Sequence, residues 1–145
     1  MGERDQIDRA RLVLSFERLF AVLRRLNPPQ DISLTAASTL RTLELCGPQR
    51  LSDLAMREGV TQPAMTQLVA RLEREHLVER QTDPSDGRVV LVAIAPAGRE
   101  LLRHRRAARA EKLAGLLATL SPEDRSAIMA ALPALDRLSD LGSRS

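Results

Sequence analysis

Apolar positions recur at helical spacing along most of the chain and give way to a β-branched run in one place. From about Gln6 to Leu26, Ile7, Leu12, Val13, Leu14, Phe16, Leu19, Phe20, Val22 and Leu23 are too many for a single stripe. A helix apolar around most of its circumference is buried on more than one side. In a chain of 145 residues, one of those sides is expected to meet a second subunit. Asn27-Pro28-Pro29-Gln30-Asp31 breaks the pattern. A second helix is predicted from Ser33 to Cys46, with Leu34, Ala37, Leu40 and Leu43 inward and Gly47-Pro48 beyond its end.

Leu51 to Arg88 is the stretch that the other elements are expected to serve. Ser52 is placed to cap a short helix, with Leu51 and Met56 at staple spacing. Gly59 ends that helix, where a left-handed residue lets the chain turn. The small pair Ala55 and Gly59 is expected to let two helices cross closely. Thr61 caps the next helix, Val60 and Met65 repeat the staple, and Pro63 falls in the first turn, where its missing N–H is harmless.

In that second helix Met65, Leu68, Val69 and Leu72 follow the i, i+3, i+4, i+7 rule and face a core. The opposite side presents Gln62, Pro63, Thr66, Gln67, Ala70, Arg71 and Arg74. Amides, a hydroxyl and guanidinium groups on one outer face can bond to base edges and phosphates. An isolated helix of this kind is more often an ordinary solvated face. The preceding helix and glycine turn favour a helix-turn-helix.

Leu77-Val78-Glu79-Arg80 and Val89-Val90-Leu91-Val92-Ala93-Ile94 read as strands, with the polar loop from Gln81 to Arg88 between them. Arg88 at the tip is suited to a narrow minor groove, and Asp86 is placed to orient it as an ion pair. Pro96 and Gly98 then open a long helix to about Leu120. Arg99, Arg103, Arg105, Arg106, Arg109 and Lys112 are spread around its first half, and Leu113, Leu116, Leu117 and Leu120 make a stripe on its second half. The basic half is expected to be a solvated strut, and the alternative is contact with flanking phosphates. Ser121-Pro122-Glu123-Asp124 starts the last helix, whose apolar face is Ile128, Leu132, Leu135 and Leu138. Pro133 should kink it or end its first half, and the tail Gly142-Ser143-Arg144-Ser145 should be loose.

These residues resemble the MarR family (multiple antibiotic resistance regulators) of winged-helix regulators. The match runs through Leu54-Ala55, Gly59-Val60, Thr66, Leu68-Val69, Arg71-Leu72-Glu73, Leu77-Val78-Glu79-Arg80, Asp83-Pro84, Asp86-Gly87-Arg88 and Ala97-Gly98-Arg99. The wing Asp-Pro-x-Asp-Gly-Arg is its most specific part. The resemblance implies a mainly α fold with a small β-hairpin, making one MarR-like domain over 1–145. Within it, 33–95 would form the winged helix-turn-helix lobe, and 1–27 with 97–141 a helical dimerisation lobe. It also implies a homodimer on a pseudo-palindromic operator, acting as a repressor and released by a small aromatic or apolar effector or by oxidation. An effector pocket of that kind would be lined by Leu, Val, Phe16 or Phe20 and an Arg. The DNA-contacting residues are then expected to be Gln62, Pro63, Thr66, Gln67, Arg71, Arg74, Asp86 and Arg88. Three positions depart from the family: His76 replaces a usual Gly, Ala95 a usual Thr, and Ser85 stands where some members carry a third wing Arg.

Composition narrows the remaining classes. A net charge of +3 with a sequence pI near 10.3 suits nucleic acid as a partner, though weakly. The chain has no Trp or Tyr and two Phe, so stacking platforms for single strands lack material and duplex DNA is favoured. Its one cysteine, Cys46, excludes a disulfide framework within the chain and reads as a small core residue. The family's oxidation-sensing role is not carried to it, because the tyrosine partners are missing. His76 and His104 are isolated and read as surface or helix-end residues. No phosphate-binding glycine loop, nucleophile elbow or metal-ligand spacing occurs, so neither an enzyme nor a cofactor is expected. No leader pattern opens the chain and no apolar run is long enough to span a bilayer, so a cytoplasmic protein is expected. The competing class is a winged helix that binds protein. It would more readily carry aromatics and Met where Gln62, Thr66, Gln67, Arg71 and Arg88 stand.

Overall fold

The computed structural model describes residues 3–28 and 32–142. Ser143-Arg144-Ser145 of the expected tail and Pro29-Gln30-Asp31 of the expected break lie outside the described residues. In chain order the elements are α1 (Glu3–Arg25), α2 (Leu34–Cys46), β1 (Gln49–Arg50), α3 (Leu51–Glu58), α4 (Gln62–Arg74), β2 (Val78–Asp83), β3 (Asp86–Ile94), α5 (Pro96–Ala118) and α6 (Pro122–Gly142). They fall into two compact units, Met1–Ala108 and Arg109–Ser145, with the boundary inside α5.

The core of the first unit is assembled from short amphipathic pieces. Leu40 and Leu43 of α2, Leu54 of α3, Met65, Val69 and Leu72 of α4 and Val92 of β3 are all buried, and Leu102 of α5 joins them. Ser33 caps α2 by accepting a hydrogen bond from the Ala36 N–H at 3.1 Å. The inward face of α2 is Ala36, Ala37, Thr39, Leu40 and Leu43. Leu34, expected inward, is exposed instead, because it is the first residue of the helix and lies before the buried turn. Cys46 is exposed too, so its assignment to the core does not hold. It closes α2 beside Leu45, which is exposed as well.

A three-stranded antiparallel sheet has the order β1-β3-β2. The sequence pattern does not show β1, where Gln49 pairs with Val92 and Arg50 with Leu91. β2 and β3 reach further out than expected. Val78 pairs with Ile94 and the ladder continues to Thr82 and Val90, so most of the expected loop is strand and the turn is only Pro84-Ser85. Gly98, Leu102 and Arg105 lie on the inward stripe of α5. Arg105 is therefore buried and not part of a solvated strut, since it follows Leu102 by three residues on the same face.

On α1, Leu12, Val13, Leu14, Phe16, Leu19, Phe20 and Val22 are between 37% and 57% exposed. Among the described residues, α1 thus carries a broad exposed apolar surface. In the second unit, Ser121 Oγ accepts from the Asp124 N–H at 3.1 Å and Pro122 opens α6. The helix continues through Pro133 to Gly142, so proline does not end it there. No residue of α6 is buried, and Ile128, Leu132 and Leu138 of its apolar face are 40% to 54% exposed.

Candidate nucleic-acid interface

Two helix ends set the geometry of α3 and α4. Ser52 does not cap α3: the helix begins at Leu51, its cap is Arg50, and no side chain caps it. The staple to Met56 is not made either, because Met56 is 78% exposed while Leu51 packs on the core. β1 runs directly into α3, so the chain direction is set by the sheet. At the other end Gly59 has φ 63° and ψ 31°. The Val60 N–H donates to the Ala55 carbonyl at 3.1 Å and the Gly59 N–H to that of Met56 at 3.3 Å, the two bonds of a Schellman turn. A Cβ on Gly59 would meet nothing, so its backbone angle, and not close helix packing, calls for glycine.

Thr61 caps α4 as expected, with Oγ1 accepting from the Ala64 N–H at 3.3 Å. Met65, Val69 and Leu72 are fully buried, and Leu68 packs against the same core. Gln62, Pro63, Thr66, Gln67, Arg71 and Arg74 are all exposed on the other side. Six of the eight expected site residues thus share one solvent-facing helical surface backed by core. Thr66 Oγ1 donates to the Gln62 carbonyl at 2.9 Å, which leaves its oxygen to act as an acceptor. Arg71 Nε donates to Glu75 Oε1 at 3.0 Å.

α4 ends in a second Schellman turn, with Leu77 N–H to Leu72 carbonyl at 2.9 Å and His76 N–H to Glu73 carbonyl at 3.0 Å. The left-handed position is held by His76 at φ 60°. Among the described residues it is the one non-glycine with positive φ, so the departure from the family's glycine carries backbone strain. Arg80 on β2 donates through Nε to Glu73 Oε2 at 3.2 Å and joins the hairpin to α4.

Asp86 and Arg88 lie at the far end of the hairpin, both exposed. Thr82 pairs with Val90 but Asp83 with Asp86, so Gly87, Arg88 and Val89 bulge from the ladder at the tip. Asp86 Oδ1 accepts from the backbone N–H of Arg88 at 3.0 Å. The expected orienting contact therefore reaches the backbone, not the guanidinium. Asp83 Oδ1 accepts from the Ser85 N–H at 2.9 Å and the Ser85 hydroxyl at 2.7 Å. These bonds to Ser85, with the nearby Arg50 guanidinium at 3.9 Å, hold the Asp83 carboxyl below its ordinary range. Asp83, Ser85 and Arg50 thus shape the wing although none was a candidate. The Asp-Pro-Ser spacing carried that signal for the first two.

The basic run of α5 is partly engaged within the chain. Arg106 forms a two-point ion pair with Glu44 of α2, and Arg103 and His104 both meet Glu100. The Arg106 guanidinium lowers the Glu44 carboxyl and is itself raised. A surface depression of about 340 Å³ is lined by Ala21, Arg24 and Arg25 of α1, and not by Phe16 or Phe20. Among the described residues no group of three His, Cys, Asp or Glu could hold a metal. None of the described helices is long and apolar enough to cross a membrane.

A capped helix with a polar outer face, reached through a glycine turn and followed by a β-hairpin, defines a winged helix-turn-helix. Comparison with known proteins places it more closely. The family model described as "MarR family" matches residues 32–90. The HTH-type transcriptional regulator Mb0904 of Mycobacterium bovis is 41% identical over 120 residues, covering 83% of this chain and 84% of that protein. Among solved structures, RV1404 from Mycobacterium tuberculosis superposes with a TM-score of 0.78 at 26% identity, covering 97% of this chain and 96% of its own. Bordetella bronchiseptica BpsR, whose DNA binding is regulated by 6-hydroxynicotinic acid, shares the fold with a TM-score of 0.58 at 23% identity, over 94% of this chain and 96% of its own. The chain belongs to the MarR family and is a DNA-binding transcriptional regulator.

Proposed function

We propose that this regulator works as a homodimer on a two-fold symmetric operator, with α4 in the major groove and the tip of the β2–β3 hairpin at the flanking minor groove. The observation that carries this reading is the division of α4. Met65, Val69 and Leu72 are buried, while Gln62, Pro63, Thr66, Gln67, Arg71 and Arg74 are exposed together. The buried side makes the helix a rigid reading head, and the exposed side holds donors and acceptors that can distinguish base pairs. Arg88, bulged from the hairpin tip beside Asp86, is a cation suited to a narrow minor groove.

The dimer reading rests on apolar surface. The exposed side chains of α1 and the exposed stripe of α6 are of the kind that a second copy covers. On this reading 33–95 is the DNA-binding lobe, and 1–27 with 97–141 the dimerisation lobe of one MarR-like domain. Two copies of α4 then enter successive major grooves about 34 Å apart. Repression follows where the operator overlaps a promoter, in the cytoplasm where bacterial DNA lies. Release by a small aromatic or apolar effector is supported by the fold shared with BpsR.

Selection of bound sequences from random duplexes tests the reading. It should return two inverted half-sites with centres about one helical turn apart. Enrichment of a single, unrepeated site would contradict it.

A further inference from the structure

Hydrogen bonds from arginine to carboxylate on the first unit are built in two ways. Arg106 meets Glu44 through both Nη1 and Nη2. Arg103 meets Glu100 through Nε and Nη2. Two further pairs flank the outer face of α4, and each is made through Nε alone: Arg71 to Glu75 at 3.0 Å and Arg80 to Glu73 at 3.2 Å. A guanidinium has five N–H donors in a fixed plane. Holding one by Nε fixes the plane and leaves the two parallel N–H groups of the Nη1–Nη2 end directed away from the carboxylate. That end can bind a phosphate or a guanine with two parallel bonds. Both arginines are more than a third exposed, so these ends are accessible.

We infer that Glu75 and Glu73 are positioning residues for DNA binding. They hold Arg71 and Arg80 by Nε and present the Nη1–Nη2 groups at the end of α4, an assignment that rests on α4 being the reading helix. The two glutamates sit on different supports. Glu75 is four residues after Arg71 on the same helical face, so that pair fixes the side chain along α4. Glu73 reaches across to Arg80 on β2, so that pair fixes the helix end relative to the hairpin.

A carboxylate near DNA also repels phosphates, and this effect has a distinct signature. Repulsion weakens binding to every duplex alike and cancels in the ratio of specific to non-specific affinity. Orientation does not cancel. A guanidinium must occupy one place in the specific complex and can settle anywhere in a non-specific one.

The test measures binding of the full chain to a duplex that the wild type selects from random sequence and to a scrambled duplex of equal composition. Glu75→Ala should lower the affinity ratio by about three- to tenfold. Glu75→Gln, whose amide oxygen can still accept from Arg71 Nε, should keep the ratio within about twofold while raising affinity for both duplexes. Glu73→Ala should behave like Glu75→Ala. In an Arg71→Ala background, Glu75→Ala should change the ratio no further. If both Glu75 variants raise affinity for the two duplexes equally, the glutamate acts as a repelling charge and the inference is overturned. It is equally overturned if Glu75→Ala changes the ratio as much without Arg71 as with it. Arg71→Ala alone separates this from the reading beneath it: if that variant binds the selected duplex as well as wild type, the placement of α4 on DNA has failed.

Discussion

The carbonyl of Leu77, just past the end of α4, lies directly against the α-carbon of Gly98 in the first turn of α5. A Cβ on Gly98 would overlap that carbonyl oxygen and come within 2.8 Å of Ile94 Cγ1. The same carbonyl accepts from the Ala95 N–H at 3.0 Å. The end of α4, the base of the hairpin and the start of α5 are thus joined at one point where only glycine fits.

Gly98→Ala should therefore destabilise the protein by about 2–4 kcal/mol, because the group that must move is backbone and not a flexible side chain. Chemical denaturation of the two proteins measures it. A loss below about 0.5 kcal/mol would show that the junction is looser than described.

His76 gives the opposite sign. A non-glycine residue in the left-handed region costs about 1–2 kcal/mol, and glycine returns part of that through its more flexible unfolded chain. His76→Gly should stabilise the fold by about 0.5–1 kcal/mol, seen as a higher denaturation midpoint with an unchanged slope.

The Glu44–Arg106 pair should show in the pH dependence of stability. The Arg106 guanidinium lowers the Glu44 carboxyl from its ordinary 4.5. A carboxyl depressed in the folded state contributes stability that is present above its unfolded value and lost as pH falls through the folded one. Glu44→Gln should thus be less stable than wild type at neutral pH, by no more than about 1 kcal/mol for so exposed an arginine. The two proteins should converge as pH drops below 4.5. A difference that stayed constant with pH would assign the effect to packing.

The exposed apolar side chains of α1 predict self-association. Sedimentation at micromolar concentration should give twice the chain mass of 16.0 kDa. Replacing Leu12 and Phe20, both more than half exposed, with Gln and Ser should shift the protein toward monomer without lowering the stability of the isolated chain.

Much of this was legible in sequence because helices carry their burial pattern locally. Met65, Val69 and Leu72 mark the inner face of α4 by spacing alone, and Gly59 and Thr61 mark the ends that bracket the turn. Features set by tertiary context were not. Cys46 follows Leu43 by three residues and so shares its stripe, yet the helix ends there and Leu45 and Cys46 are exposed. Gln81, Thr82 and Asp83 look like loop because they are polar, but their pairing with β3 makes them strand. β1 is too short to have a period. Arg105 sits among solvated arginines in sequence, and only its register with Leu102 buries it. The hold of Glu73 on Arg80 needed the folded geometry to be seen.

The central claim is that α4 reads bases while the hairpin tip supplies sequence-tolerant affinity. Binding of wild type, Gln67→Ala and Arg88→Ala to a library of single-base variants of the selected duplex tests it most directly. Gln67→Ala should cost about 1–3 kcal/mol on the best duplex and relax preference at one position in each half-site. Arg88→Ala should weaken binding to nearly all members, lower the salt slope by about one contact per subunit, and relax only an A·T bias at the flanks. Unchanged base preference in Gln67→Ala, or undiminished affinity in Arg88→Ala, would contradict the account.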